Sequence, residues 1–328
     1  MTSSLYHIFV KSVEKCDKIR NGSVAEWLKA HDSKSCEGNT FGGSNPLASA
    51  RIAAGASRFR QNSSNKACYF FIPLVYNKNM ENSTTPKSQN KKGGLKAKTQ
   101  QLRAKLLSSY YGNPIKDMKL IAVTGSTGKT VVAHYLHEIL NATGEQVAVF
   151  ASDQPFKTSV LHKFLNDAWK AGANYVIVTT PVESLKNNVF YNLPVHIAAM
   201  TNFVTSSLKD MTPEEFLDNE KTLFDMNPEN IVLNTDDLNY ETFKAFKGTK
   251  KTITFGRASS DVKILSSKLY KKGTETTIST NGEIVNVATF VPGETAVSYM
   301  ACAMAVANLL EIKPQKAIEG IANYEPTL

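Results

Sequence analysis

Short apolar runs alternate with amphipathic segments from residue 119 to the end of the chain. The runs are apolar throughout instead of alternating with polar residues, which is typical of parallel strands covered on both faces. The segments between them have apolar residues at helical spacing. In the segment 129–144 these residues are Val132, Tyr135, Leu136 and Ile139. The pattern predicts an α/β fold, in three layers and of the P-loop type, with a mainly parallel sheet.

The strands of this sheet are predicted at 119–125, 146–150, 174–180, 194–202 and 230–237, with helices at 129–144, 159–172 and 214–226. From Thr252 onward, short β-rich pieces follow one another with turn signals such as KKG and NG between them. We expect a small β-meander there. Two further apolar periods predict helices at 296–310 and 314–324 that close the chain.

The segment 20–49 has no sustained strand or helix period. Its pieces AEWLKA, HDSKSC and GGSNP resemble a translation of the D, anticodon and T arms of a serine-type transfer RNA gene. We therefore expect residues 1–79 to be an extension that arises from a misplaced start codon, with Met80 as the natural start. The alternative is a genuine basic extension that is disordered or irregular.

Residues 80–118 are predicted to form a basic leader followed by an amphipathic helix. The leader is polar and contains Lys, Gly and Pro, a composition typical of disorder. In the helix, Leu95, Leu102, Leu106 and Tyr110 fall near one face, with Lys and Arg on the other. We expect the apolar face to pack against the following domain, and the alternative is a helix that lies on a membrane surface.

The chain has 328 residues, of which 42% are hydrophobic, enough for one large or two modest domains. Its net charge of +9 is an N-terminal property: residues 1–118 hold 19 Lys and Arg against 7 Asp and Glu, whereas residues 119–328 hold 19 against 22. The folded part therefore lacks a basic surface for a polyanion, and we expect no nucleic-acid partner. RNA binding through the basic leader is disfavoured, because few aromatic residues lie among its lysines.

Three of the four cysteines lie near the start of the chain, and Cys302 lies inside an apolar helical pattern. The absence of a CxxC pair or disulfide framework fits the reducing cytoplasm. We predict Cys302 to be a buried small hydrophobic residue. The apolar run that begins at Cys68 is too short to span a bilayer and no signal peptide is visible, so we expect a cytoplasmic chain without a transmembrane segment.

The motif TGSTGKTV at 124–131 follows the first strand of the predicted sheet and opens its first helix. In such a turn, backbone N–H groups, a helix N-terminus and an ammonium group converge on an anion. We predict a phosphate-binding turn formed by Gly125, Ser126, Thr127, Gly128, Lys129 and Thr130. Lys129 is expected on the β- and γ-phosphates as the catalytic residue, and the Thr130 hydroxyl on Mg²⁺. The alternative is a glycine-rich turn that holds no ligand.

Four segments resemble the Mur ligase family, in the correct order. IAVTGSTGKT is similar to the family's ATP-binding turn TGTNGKT, with Thr127 in place of Asn. MTNFVTSSLKDMTPEEFLDNEKTLF, IVLNTDD and the two closing helices are similar to later segments of the family. The resemblance covers residues 119–327 and implies that 119–328 form the family's central ATP-binding domain.

The resemblance implies an ATP-dependent acid–amino acid ligase of peptidoglycan-type biosynthesis, with ATP and Mg²⁺ as cofactors. In that reaction ATP phosphorylates a carboxylate, and an amine then displaces phosphate from the acyl phosphate. The resemblance places Asn202 near the phosphates, and Asn234 and Asp237 near the adenine. The alternative for these three residues is ordinary turn and cap chemistry at strand ends.

The metal positions depart from the family pattern. Thr179 stands where the family has a Glu ligand, and Ser206 and Ser207 stand where it has an Asp-His pair. Glu220 matches the family's carbamylated Lys and is a candidate metal ligand, the alternative being a solvated helix charge. These substitutions raise a second hypothesis, a catalytically degenerate nucleotide-binding or interaction protein or a truncated gene fragment, because loss of metal charge weakens stabilisation of a phosphoryl transition state.

Family members also have an N-terminal domain for the nucleotide-linked substrate and a C-terminal domain for the incoming amino acid. Neither matches a segment of this sequence, so we expect a lone central domain. The partners implied are ATP, a peptidoglycan precursor and a separate partner chain that supplies the missing domains.

Overall fold

One continuous sheet runs through the part of the chain that a computed structural model describes, residues 93–205 and 211–326. Along the chain its strands are β1 (Lys119–Thr124), β2 (Val147–Phe150), β3 (Tyr175–Thr179), β4 (Ile197–Met200), β5 (Asn230–Asn234), β6 (Lys251–Gly256), β7 (Val262–Tyr270), β8 (Gly273–Thr280) and β9 (Glu283–Thr289). Across the sheet their order is β2-β3-β1-β4-β5-β6-β7-β8-β9. The predictions for residues 1–79, for the leader at 80–92 and for Ser206 and Ser207 lie outside the described residues.

Strands β1 to β6 pair in parallel, as the uninterrupted apolar runs of the first five predict. The expectation that the meander begins at Thr252 is wrong, because β6 contains this residue and pairs in parallel with β5. Strands β7, β8 and β9 pair in antiparallel and form the predicted meander. A short parallel contact between β6 and β7 joins the meander to the parallel strands. The sequence predicts both parts but not their union in one sheet.

Helices cover both faces of the sheet. They are α1 (Gly93–Tyr110), α2 (Lys129–Ala142), α3 (Thr158–Lys170), α4 (Val182–Lys186), α5 (Pro213–Phe224), α6 (Tyr240–Phe243), α7 (Glu294–Leu309) and α8 (Pro314–Asn323). One apolar core joins the first face to α2, α7 and α8, and a second core joins the opposite face to α3 and α5. The predicted three-layer α/β architecture is confirmed, and the short helices α4 and α6 were not predicted.

Helix α7 is buried along most of its length, from Ala296 to Ala307. A helix that is apolar all round is stable only when protein surrounds it, and α7 packs between the sheet and helices α2 and α8. It contacts strands β4 to β9, which include both the parallel part and the meander. Cys302 lies in this helix with 0% exposure, so its prediction as a buried hydrophobic residue is confirmed. Burial also raises the pKa of its thiol, which disfavours the reactive thiolate.

Helix α1 forms where it is predicted but packs through a different face. Leu102, Leu106 and Tyr110 are 58%, 62% and 80% exposed, whereas Ala104 and Ser108 are buried. The prediction that the leucine face packs against the domain is therefore wrong. The helix lies against α3, and its small side chains permit a closer approach than the leucines would.

The described residues contain no helix that is both long and apolar enough to cross a membrane.

Candidate functional site

The turn at residues 125–128 connects the end of β1 to the start of α2. Gly125 is buried, while the residues from Ser126 to Thr130 are partly exposed. The carboxyl ends of β3, β4 and β5 lie at the same edge of the sheet, because these strands run parallel to β1. This edge is where open α/β sheets bind ligands, so the turn occupies an accessible and suitable position.

Both glycines of the turn have a positive φ and lie too close to other residues to carry a side chain. Gly125 has φ +122°, and a β-carbon there would lie 2.3 Å from the hydroxyl oxygen of Thr201. Gly128 has φ +78°, and a β-carbon there would lie 2.0 Å from the ring of Tyr299. Positive φ values are costly for residues with a side chain, so glycine is the residue that fits both positions.

Two side chains from other elements hold the middle of the turn. Asn202, just after β4, accepts hydrogen bonds through Oδ1 from the backbone N–H and the hydroxyl of Thr127, each at 3.1 Å. Its carbonyl accepts from the N–H of Ser126 at 2.8 Å. The hydroxyl of Tyr299, on α7, lies 3.0 Å from that of Thr127. The turn is therefore fixed by β4 and α7 as well as by its own sequence.

Lys129 begins α2, and its ammonium group returns to the turn. It donates hydrogen bonds to the carbonyl oxygens of Gly125 and Ser126, at 2.7 and 3.4 Å. The ammonium thus lies over the turn at the N-terminus of a helix of 14 residues, where the helix dipole adds positive potential. This is an electrostatic environment suited to an anion.

Thr130 contacts an acidic residue that the sequence analysis did not single out. Its hydroxyl donates to Oδ1 of Asp153 at 3.0 Å. Asp153 follows β2, and its carboxylate is exposed. The signal that was available is its place directly after a parallel strand, at the edge of the sheet where the turn also lies.

Thr179, at the end of β3, is completely buried. Its hydroxyl accepts a hydrogen bond from the N–H of Ser152 at 2.7 Å and donates to the carbonyl of Ser152 at 2.9 Å. The resemblance implies an acidic metal ligand at this position. Here the side chain instead fixes the backbone of the loop that follows β2.

Glu220, on α5, has 0% exposure. It accepts a hydrogen bond from the hydroxyl of Thr124, while its Oε1 has no hydrogen-bond partner among the described residues. Burial raises the pKa of this carboxyl to about 7, although the Thr124 hydroxyl and the Lys129 ammonium oppose the shift and Glu183 adds to it. The alternative of a solvated helix charge is wrong, since the side chain is fully enclosed beneath the turn.

Asn234 and Asp237, at and after the end of β5, organise the neighbouring loops. The amide of Asn234 donates to the carbonyl of Thr201 at 2.9 Å, and its Oδ1 accepts from the N–H of Asp236 at 2.9 Å. Asp237 accepts from the backbone N–H groups of Phe203 and Asn239. Burial raises the pKa of the Asp237 carboxyl, and these hydrogen bonds oppose that shift. Both residues thus lie at the same edge as the turn, in turn and cap roles.

The donor set fits a magnesium ion bound together with phosphate oxygens. Within residues 93–205 and 211–326, no group of three or more His, Cys, Asp or Glu side chains is arranged to hold a metal alone. Mg²⁺ is commonly held by one or two carboxylates and by substrate phosphates. The Thr130 hydroxyl, the Asp153 carboxylate and the unpartnered oxygen of Glu220 are oxygen donors around one turn, which is the chemistry this ion prefers.

Comparisons with known proteins place the chain in a family. A model described as the Mur ligase middle domain matches residues 123–307. A UDP-N-acetylmuramoyl-L-alanyl-D-glutamate–2,6-diaminopimelate ligase of Clostridium tetani is 29% identical over 205 residues, which are 58% of this chain and 42% of the relative. The ligase 2 of the same description from Clostridium acetobutylicum is 25% identical over 283 residues, 80% of this chain and 56% of the relative. The chain thus spans about half the length of the curated relatives it matches.

Solved structures agree on the fold. A UDP-N-acetylmuramoyl-L-alanyl-D-glutamate–2,6-diaminopimelate ligase superposes with a TM-score of 0.62 at 18% identity, over 71% of this chain and 51% of that chain. The MurF ligase of Thermotoga maritima, solved in complex with ADP, gives a TM-score of 0.54 at 16% identity, over 70% and 53%. Since the family model matches more than half of the sequence, the chain belongs to the Mur ligase family, through the middle domain of that family.

Proposed function

We propose that residues 119–328 bind Mg-ATP at the turn between β1 and α2. The observation that carries the proposal is that side chains from other elements fix the conformation of this turn. Two glycines permit the positive-φ backbone of the turn and the close packing of Thr201 and Tyr299 against it. Asn202 and Tyr299 fix the turn through Thr127, and the Lys129 ammonium lies over it. A turn whose backbone is already fixed binds an anion at a lower ordering cost than a mobile loop would. The solved relative with bound ADP supports the choice of nucleotide.

In this proposal Lys129 moves its ammonium from the carbonyl of Gly125 to the β- and γ-phosphates, and acts as the catalytic residue. Gly125, Ser126, Thr127 and Gly128 supply backbone contacts, and the Thr130 hydroxyl and Glu220 serve the metal. Asn202 orients the turn beside the phosphates, while Asn234 and Asp237 shape the adenine side through the loops they organise. The magnesium ion supplies charge neutralisation at the γ-phosphate when bound.

We propose further that the chain contributes to an ATP-dependent acid–amino acid ligase in peptidoglycan-type biosynthesis in the cytoplasm. A substrate carboxylate oxygen attacks the γ-phosphorus, ADP leaves, and an acyl phosphate forms. An amine then attacks the acyl carbon, phosphate leaves, the amine loses a proton, and an amide results. The activity printed for the curated relatives supports this class of reaction. The proposal includes a peptidoglycan precursor as the acyl substrate and a separate partner chain.

A second candidate is a nucleotide-binding protein without turnover. Thr179 favours this candidate, because it stands where the resemblance implies an acidic ligand and supplies no carboxylate to a metal. Its hydroxyl is hydrogen-bonded to the N–H and to the carbonyl of Ser152. A weaker metal site would lower the rate of phosphoryl transfer while leaving nucleotide binding in place.

The experiment that tests the first proposal is titration of the full chain with ATP, beside a Lys129→Ala variant. We expect micromolar to millimolar binding by the unaltered chain and loss of about tenfold or more in the variant, because one charge-assisted contact to phosphate is worth roughly 1.5–3 kcal/mol. Equal affinities would overturn the site. Release of inorganic phosphate with acyl and amine substrates then separates the ligase from the non-catalytic candidate.

A further inference from the structure

We propose that Asp153 supplies a carboxylate to the magnesium ion of the bound nucleotide, beside Thr130, and that Thr179 positions it. This inference rests on the proposed nucleotide site and adds a residue to it. Neither the phosphate-turn motif nor the resemblance assigns a role to Asp153.

The first step is the contact between the two side chains. The hydroxyl of Thr130 and Oδ1 of Asp153 are 3.0 Å apart. In phosphate-binding turns of this form, the hydroxyl after the lysine contacts Mg²⁺, and an acid from a neighbouring strand contacts the same ion. Asp153 reaches the Thr130 hydroxyl from one strand further out, since it follows β2, which β3 separates from β1, at the same carboxyl edge of the sheet. Its carboxylate is exposed and therefore accessible to an ion that arrives with ATP.

The second step is the rigidity of the loop that carries Asp153. Thr179 bonds both the N–H and the carbonyl of Ser152, and the Ser152 hydroxyl bonds the backbone of Gln154. The N–H of Phe156 donates to the Ser184 hydroxyl at 3.1 Å. On one side of Asp153 the chain is thus tied to β3 through Ser152, and on the other it is tied to α4 through Phe156. These bonds restrict the loop that carries the carboxylate next to Thr130. Metal ligands need this kind of support from surrounding hydrogen bonds.

The third step concerns the acid implied at residue 179. Thr179 is buried and its hydroxyl is fully engaged by Ser152, so it is a positioning residue instead of a ligand. The carboxylate comes from the loop that Thr179 holds, one strand further out in the sheet. Glu220 is a further carboxyl at this turn, buried beneath it, and its Oε1 meets the hydrogen-bond criterion with no partner among the described residues.

The test is the gain in nucleotide affinity that Mg²⁺ produces. The full chain is titrated with an ATP analogue that has a methylene bridge between its β- and γ-phosphates, with Mg²⁺ and with EDTA. We expect Asp153→Asn to lose about tenfold to a hundredfold of the Mg²⁺-dependent gain, the usual range for a residue that supports a metal. Binding in EDTA should tighten, because a negative charge has left the vicinity of the phosphates. Paramagnetic resonance of Mn²⁺ bound with the same analogue reports the loss directly.

The matched control is Asp167→Asn, which removes the same charge from the outer surface of α3, where Asp167 pairs with Lys163. Its gain from Mg²⁺ should equal that of the unaltered chain. Thr179→Val should reduce the gain, and Thr179→Ser, which keeps the hydroxyl, should restore it. If Asp153→Asn keeps the full gain, this inference is overturned while the nucleotide site stands. If the unaltered chain binds no analogue in either buffer, both proposals are overturned.

Discussion

The ring of Tyr299 lies directly over Gly128, so close that a β-carbon at residue 128 would come within 2.0 Å of it. The two residues are far apart in sequence, one at the start of α2 and the other in α7. Their contact joins the turn at residues 125–128 to a helix that is buried along most of its length. The tightness of this contact can be measured as the loss of stability when a methyl group is added at residue 128.

Gly128→Ala should destabilise the protein more than a Gly→Ala change at a position with a similar positive φ and no close neighbour. Gly282 is the matched control, because its φ of +80° is close to the +78° of Gly128 and no atom lies within 4 Å of its would-be β-carbon. Gly282→Ala should cost about 1 kcal/mol in the free energy of unfolding. Gly128→Ala should cost about 1–3 kcal/mol more, through overpacking against Tyr299. Urea unfolding measures both, and equal losses would mean that the ring moves aside freely.

Substitution of Asn202 should separate stability from nucleotide binding. Asn202→Ala removes the acceptor for Thr127, which should lower the free energy of unfolding by about 1–3 kcal/mol. Asn202→Asp keeps an acceptor oxygen for Thr127 and should leave stability close to that of the unaltered chain. Its added negative charge should nevertheless weaken ATP binding by about tenfold. Unchanged affinity in the Asp variant would place the phosphates away from residue 202.

Glu220 should make stability depend on pH near neutrality. Its pKa is raised from 4.5 to about 7, so between these values the native state keeps a proton that the unfolded state loses. The free energy of unfolding should therefore fall as pH rises from about 4.5 to about 7, by a few kcal/mol in all at roughly 1.4 kcal/mol per pKa unit, and then level off.

Glu220→Gln, which stays neutral, is the comparison for this pH dependence. Chemical unfolding of both proteins at pH 5 and pH 8, in buffer with EDTA, gives the measurement. The unaltered chain should lose stability relative to the Gln variant as the pH is raised. Parallel losses in the two proteins would show that the carboxyl titrates in its ordinary range.

The packing face of α1 can be tested by substitution on its two sides. Leu106→Gln should change the free energy of unfolding by less than about 0.5 kcal/mol, because the side chain is 62% exposed. Ala104→Gln should cost about 1–3 kcal/mol, because Ala104 has 0% exposure and a longer side chain must displace its neighbours. A larger loss for Leu106→Gln than for Ala104→Gln would show that the leucine face packs against the domain after all.

Periodicity predicts the architecture well where burial dominates. The apolar strands and the face of α2 that carries Tyr135 and Ile139 are buried as expected. Periodicity fails at α1, because the spacing of leucines shows which face of a helix is apolar but not which face lies against a neighbouring helix. There, Ala104 and Ser108 form the contact through their small size.

One part of the candidate site was predicted from a local motif, and the resemblance alone predicted Asn202, Glu220, Asn234 and Asp237. The turn and its lysine follow from TGSTGKT, since strand, turn and helix are contiguous in sequence. Asp153 and Tyr299 reach the same turn from β2 and α7, through the order of strands in the sheet and the packing of a helix on it. A single sequence shows that Asp153 follows a predicted parallel strand, but it does not show which residue Asp153 or Tyr299 contacts. The same holds for Thr179, whose hydroxyl could only be assigned to Ser152 from coordinates.

Helix α7 crosses both the parallel strands and the meander, and it also carries the ring that covers Gly128. Loss of the meander would therefore strip apolar cover from α7 and release Tyr299 as well. We therefore expect the two parts of the sheet to melt together, and we expect a cavity made at Ile278 in β8 to lower the temperature at which the distant turn unfolds.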